Sequence, residues 1–201
     1  MKIMMKLLAL MILAVAIPGC KKEHLQPDEI KAPLTWISAR INNDSVYFAA
    51  GVDNYAASTF VNDVDVHRSF GTSIKSTVAG SGYFEVFVNN YRDSLADLSG
   101  DLENSFQPGL FDYEYQPLGT MLFTPGGVII NWYDSSGNVY SSAYTVQSNA
   151  SFQIDTVETV VQDGLTYKKA TVNFNCTLLD LTNYNFTEVT NGQAVLLFGG
   201  I

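Results

Sequence analysis

Histidine and cysteine are nearly missing from this chain, with two of each in 201 residues. Nucleophilic catalysis by Ser or Cys needs a base, usually His, oriented by an acid. Zinc needs three or four convergent His, Cys or carboxylate ligands. His24 stands in a polar N-terminal stretch with no second ligand nearby, and His67 stands in an alternating stretch, where it reads as an exposed strand residue. There is no Gly-x-Ser-x-Gly elbow, Gly-rich phosphate loop or dinucleotide fingerprint. No catalytic residue and no cofactor is therefore assigned. Basic residues are scarce as well: 11 Lys and Arg stand against 20 Asp and Glu, a net charge of −9. That balance disfavours nucleic acid and anionic membrane surfaces, both of which need Lys/Arg clusters. The acidity reads first as a solubility device. Apolar runs are short too. Leu7 to Ile17 is uninterrupted over 11 residues, whereas a bilayer core of about 30 Å takes roughly 20 helical residues.

What is present begins at the N-terminus. Lys2 and Lys6 precede the apolar run, and Pro18-Gly19-Cys20 ends it, the layout of an export signal. Small residues just before a Cys, directly after such a run, resemble the lipobox of bacterial lipoproteins. The resemblance implies that the Cys20 thiol receives a diacylglycerol, that the chain is cut before Cys20, and that the new amino group is acylated. Residues 1–19 would then be a lipoprotein signal peptide. The membrane would be a partner through lipid on Cys20, with the protein exported and anchored to the outer membrane on its periplasmic or its surface side. Two or three acyl chains suit firm anchoring, because one chain holds only marginally. An ordinary secretory signal with an incidental Cys also predicts export. Removing residues 1–19 takes away Lys2 and Lys6, which moves the net charge from −9 to −11. A thioether at Cys20 leaves Cys176 without a partner, so no internal disulfide is expected.

Residues 20–33 form a flexible tether: the stretch is polar, has two prolines and shows no periodicity. From Leu34 to Ile201 the period becomes two. Strands are predicted at 34–41 and 46–50 around the Asn42-Asn43-Asp44 turn signal, at 64–70, and over the SGYFEVFVNNY segment at 81–91. Leu95, Leu98 and Leu102 recur at helical spacing in an acidic stretch, which suggests one short helix or a loop. Stretches 112–116 and 119–124 look extended. Hairpins are predicted for 128–133 with 139–144, for 150–161 with 165–178 around Asp163-Gly164, and for 183–189 with 193–198 around Asn191-Gly192. Strand parity puts Trp132 inward with Val128 and Ile130, and Cys176 on the buried face of its strand, where a free Cys behaves as a small hydrophobe. Short strands, turn residues between them and little helical periodicity argue for an all-β chain: an antiparallel β-sandwich, immunoglobulin-like or jelly-roll-like, or a barrel. A break near 107–127 could divide the body into two sub-domains.

Three stretches carry a further resemblance: Tyr47-Phe-Ala-Ala-Gly51-Val-Asp-Asn54-Tyr55, Tyr133-Asp-Ser-Ser-Gly137-Asn-Val-Tyr-Ser-Ser142, and Asn173-Phe174-Asn175-Cys176-Thr177-Leu178 with Val189-Thr190-Asn191-Gly192. Together they resemble exported β-sandwich lipoproteins of Bacteroidota-type bacteria. The resemblance implies a fold and an address, and no active site. Lys21-Lys22-Glu23 is similar in part to the surface-export signal of such bacteria. Asp44-Ser45-Val46, Asp93-Ser94-Leu95 and Asp155-Thr156-Val157 fit their O-glycosylation motif.

Two groups of residues could carry binding. Tyr83, Tyr91, Tyr133, Tyr140 and Tyr144 fall at exposed-looking positions, and flat rings with polar tips can stack on sugars; tyrosine is also simply a good strand residue. Asn62-Asp63-x-Asp65 and the group Asp97, Asp101 and Glu103 offer oxygen ligands of the kind Ca²⁺ takes. Neither matches an EF-hand, and a solvated acidic loop is the simpler reading. The leading expectation is a lipid-anchored envelope protein with a non-catalytic binding role, its ligand a glycan or another surface ligand. A scaffold that binds an envelope protein and a hydrolase with dispersed carboxylates are the alternatives.

Overall fold

The computed structural model describes residues 34–64, 67–91, 97–119 and 126–201, apart from the side chains of Val64 and Tyr91. Five strands open the fold: β1 (Trp36–Ile41), β2 (Asp44–Ala49), β3 (Tyr55–Val64), β4 (His67–Ser76) and β5 (Tyr83–Tyr91). The helix α1 (Leu98–Ser105) and the short β6 (Gly109–Phe111) follow. Then come β7 (Gly127–Tyr133), β8 (Val139–Ser141), a 3-10 turn at Ser142–Tyr144, β9 (Ser151–Gln162), β10 (Leu165–Asp180) and β11 (Phe186–Gly199). Every pairing between these strands is antiparallel. The expected all-β class is therefore what the chain adopts. Among the described residues no helix is long and apolar enough to cross a membrane.

The strands run in the order β2-β1-β11-β10-β8-β7-β5-β4-β3, with β9 on β10 and β6 on β9. The two halves of this path are joined by the short β8–β10 pairing, where Ser141 meets Leu179 and Tyr140 meets Asp180. One layer, β3-β4-β5-β7-β8, thus folds over the other, β6-β9-β10-β11-β1-β2. The Thr72 hydroxyl reaches across to the Leu197 carbonyl, so the two layers also meet on the far side and the sheet is nearly closed. Between them lie Phe70, Phe84, Val86 and Ile130 from the first layer and Ile37, Phe152, Val172, Phe174, Leu178 and Phe198 from the second. Each such side chain contributes roughly 1.5–3 kcal/mol by leaving water.

Turn chemistry follows the local sequence at two hairpins. Asn42 and Asn43 (φ 48° and 74°) and Asp163 and Gly164 (φ 52° and 80°) both have positive φ at the two central positions. That is the type I′ geometry that matches strand twist. Asn191-Gly192 behaves differently. It is no hairpin turn: β11 runs unbroken through it, and the register slips by one residue opposite Phe174 and Cys176. Asn191 takes φ 52° in this β-bulge. Gly192 is required because a Cβ there would stand 2.6 Å from the Phe174 ring. The expected strand at 64–70 is likewise corrected. Val64 ends β3 and pairs with His67, which opens β4. Residues 120–124 of the expected extended stretch 119–124 lie outside the described residues, and the chain at 112–114 runs beside Val128, where Val128 N donates to Asp112 O and Glu114 N to Val128 O.

The helix covers an opening of the sandwich and draws on both layers. Leu102 and Phe106 are buried, and Phe106 packs on Phe70 and Phe198. Arg68, 2% exposed, points inward from β4 and donates to Asp101 at 2.7 Å and to Asp63 at 2.8 Å. Lys168, 3% exposed, points inward from β10 to Glu103 and to Thr159 Oγ1. Two buried cations, one from each layer, thus meet carboxylates on one helix. Burying a charge is tolerable only with such a partner.

Candidate functional site

Side chains alternate along β4, β5 and β7. Ile74, Phe84, Val86, Val128 and Ile130 fill the core, so Lys75, Tyr83, Glu85, Ile129 and Tyr133 stand on the outer face. Tyr83 and Tyr133 are directly opposite in the β5–β7 register. Their rings stack at 4.0 Å between centroids with an interplanar angle of 6°. Lys75 Nζ caps the Tyr83 ring, 4.7 Å from its centroid. The Tyr133 hydroxyl donates to Glu85 Oε2 at 3.0 Å. Partial burial, and then the charge of Glu85, push both phenols above their ordinary value. Both rings therefore stay protonated and keep a polar tip at neutral pH.

The outer face continues with Phe60 and Phe87, which meet edge to face at 5.2 Å. Phe60 reaches Phe87 across Gly71, where any Cβ would collide with its ring. At the other end a cleft of about 520 Å³ opens between the 77–81 and 134–137 turns, lined by Lys75, Tyr83, Tyr133 and Asp134. The Asp134 carboxylate accepts from Ser136 N, Asn138 N and Asn138 Nδ2 at 2.7–2.9 Å. Against its partial burial, these bonds hold it below the usual carboxylate range and make its turn rigid. The cleft combines stacked rings, one ammonium and one carboxylate on a firm base, and Glu85 stands beside it on the Tyr133 hydroxyl. That is a binding surface with polar orienting groups.

The five tyrosines separate. Tyr83 and Tyr133 come together on the outer face. Tyr140 lies on the inner face and stacks on Trp132 at 4.5 Å, with Trp132 packed against the core as parity required. Tyr144 sits half-buried in the 3-10 turn, away from the residues that line the cleft. The Tyr91 side chain lies outside the described residues. Trp36 stands on the other layer's outer face beside Tyr47, at 6.3 Å between ring centroids.

The acidic residues have structural work. Asp97 caps α1, its Oδ1 accepting from Gly100 N at 2.8 Å. Asp101 and Glu103 hold Arg68 and Lys168, and Asp63 also serves Arg68; Asp65 lies outside the described residues. Among the described residues no group of three His, Cys, Asp or Glu side chains is placed to hold a metal ion. Cys176 is free and buried, as its strand parity implied, and burial pushes its thiol up to about 12.

Sequence reasoning passed over Glu114. It is buried on the outer side of β5 and accepts from Asn89 Nδ2 at 2.6 Å and from Gln116 Nε2 at 3.0 Å. Burial raises its carboxyl, opposed by those bonds and by His67. His67 is therefore half-buried beside an acid rather than fully exposed. Little local marks Glu114, because Asn89 and His67 reach it from β5 and β4 and only Gln116 is a neighbour along the chain. Of the three glycosylation-like motifs, Ser45 and Thr156 are exposed on β2 and β9, and 93–95 lies outside the described residues. Another depression, beside the β10–β11 bulge, is lined by Asn149, Asn175, Thr177 and Glu188 and offers no aromatic ring.

Compared with family models, curated proteins and solved structures, the chain matches none.

Proposed function

We propose that the chain is a lipid-anchored envelope protein whose body binds a glycan, without catalysis, at the cleft beside Tyr83 and Tyr133. The supporting observation is the outward-facing stacked pair, ordered by Lys75 and Glu85 and opening onto a cleft of about 520 Å³. Ordered rings lose little freedom on binding, which favours a ligand that packs flat or edge-on against them. The anchor is Cys20, and the export segment and tether are residues 1–19 and 20–33. Mass spectrometry of the native protein tests the anchor: an unmodified Cys20 within an uncut chain sinks it. A glycan array tests the body. Binding that disappears in Tyr83→Ala and Tyr133→Ala supports the site. No binding to any glycan overturns it.

A scaffold role has its own support in β9. This strand pairs with β10 along its length but with β6 only at 152–154. Among the described residues its edge beyond Asp155 has no partner strand, and Val161 there is 69% exposed. An open edge can accept a strand from another protein. Photo-crosslinkers at 158 and 161 that capture an envelope protein, while those at 83 and 133 do not, would favour this role.

A further inference from the structure

Resting on the glycan reading above, we infer that the Tyr83–Tyr133 cleft selects an amine-bearing glycan, one whose free ammonium takes the place of the Lys75 ammonium on the Tyr83 ring. Three observations lead there. First, the free face of Tyr83 already holds an ammonium: Lys75 Nζ lies 4.7 Å from the ring centroid, within the range of cation–π attraction. The other face is closed by Tyr133, whose ring is parallel at 4.0 Å. A flat sugar therefore cannot stack on either face of Tyr83 while Lys75 is in place. Second, Lys75 is an exposed side chain, and among the described residues no carboxylate pairs with it. The ring is the group that holds its head, and a contact of this strength is easily exchanged. Third, the surroundings suit a cation. Glu85 accepts from the Tyr133 hydroxyl, Asp134 lines the opposite wall, and the whole chain carries −9. When Lys75 swings into solvent, a ring face and the Asp134 wall remain, with Glu85 beside the ring pair and no positive side chain among the other lining residues.

Lys75 then serves as an internal occupant that a ligand must displace. An amino sugar repays that displacement because its ammonium restores the cation–π contact and gains the charge of Glu85, whereas the Asp134 carboxylate is already taken up by Ser136, Asn138 and Tyr140. An N-acetylated sugar loses the contact and gains no charge pairing. An anionic sugar keeps Lys75 but meets both carboxylates.

The test uses the full chain and oligosaccharides of glucosamine and of N-acetylglucosamine matched in length, titrated by calorimetry. The glucosamine oligomer is expected to bind more tightly to the native chain. Lys75→Met keeps the apolar stem and removes the competitor, so glucosamine binding should strengthen about two- to five-fold, the fold-change of one exposed cation–π contact. Glu85→Gln and Tyr83→Leu should weaken it, with unchanged thermal unfolding as the control for folding. Equal affinity for the two oligomers, or no gain in Lys75→Met, overturns the inference. If neutral glycans still bind and Tyr83→Leu abolishes that binding, the glycan reading stands while the amine preference falls. If no glycan binds at all, both fall.

Discussion

The two faces of the β4–β5–β7 layer are made from neighbouring residues of the same strands, yet they do opposite things. On the inner face Trp132 stacks on Tyr140 at 4.5 Å, and Arg68 is locked between Asp63 and Asp101. On the outer face Tyr83 stacks on Tyr133 at 4.0 Å, and Lys75 rests on a ring with no carboxylate partner among the described residues. Each face thus pairs a ring stack with a cation. The inner cation carries two ion pairs because an unpartnered charge in the core is costly. The outer cation can be held by a ring alone, because water solvates whatever the ring does not. Rings stack on both faces, near-parallel outside at 6° and tilted by 29° inside, with a different consequence. Inside it fills space, and outside it leaves polar tips presented to a ligand.

The comparison can be broken most forcefully at Arg68. Arg68→Met leaves Asp101 buried without this counterion and should cost about 3–5 kcal/mol in chemical denaturation. The double substitution with Asp101→Leu should recover much of that loss, because a well-packed apolar pair replaces a buried ion pair at little cost. Trp132→Ala comes next, at about 3 kcal/mol, the low end for such truncations because the indole keeps some exposure. Tyr83→Ala, its outer counterpart, should cost about 1 kcal/mol or less by the same assay, the scale of a cross-strand aromatic pair. A loss at Tyr83 as large as that at Trp132 would mean that the outer pair is part of the core.

The smallest effect separates the faces by pH. Burial raises Glu114 above its ordinary 4.5, so folding favours its protonated form. Its contribution is full below pH 4.5 and is lost as pH rises through the raised value. Asp63 runs the other way. Its hydrogen bond with Arg68 lowers it below 3.8, so its contribution is present above that value and lost as pH falls. Glu114→Gln should flatten the decline of stability above pH 4.5, and Asp63→Asn the decline at acid pH. Thermal unfolding across pH 3–8 reads both, and identical profiles for the native and substituted chains would refute the assignments.

Much of this was legible residue by residue. Period-two alternation put Cys176 and Trp132 inward and Tyr83 and Tyr133 outward, because successive strand side chains point to opposite faces. Asp163-Gly164 announced its hairpin because both positions need positive φ. Asn191-Gly192 carried the same local signal and misled. The Phe174 ring, which demands glycine there, belongs to a different strand, and no local pattern reports a ring approaching from the side. The acids misled for the same reason. Asp101 and Glu103 look like a solvated run until Arg68 and Lys168, 33 and 65 residues away, arrive from two layers.

By itself, then, the sequence determined that this chain is all-β, which face of each clear strand is apolar, and where several turns lie, since these depend on neighbours one to four residues apart. Only the tertiary structure decided that Tyr83 meets Tyr133 across 50 residues, that Tyr140 leaves that group for the core, and that the helix acids close the sandwich instead of meeting a metal. Those outcomes depend on strand register and layer packing, which a residue's own neighbours along the chain do not encode.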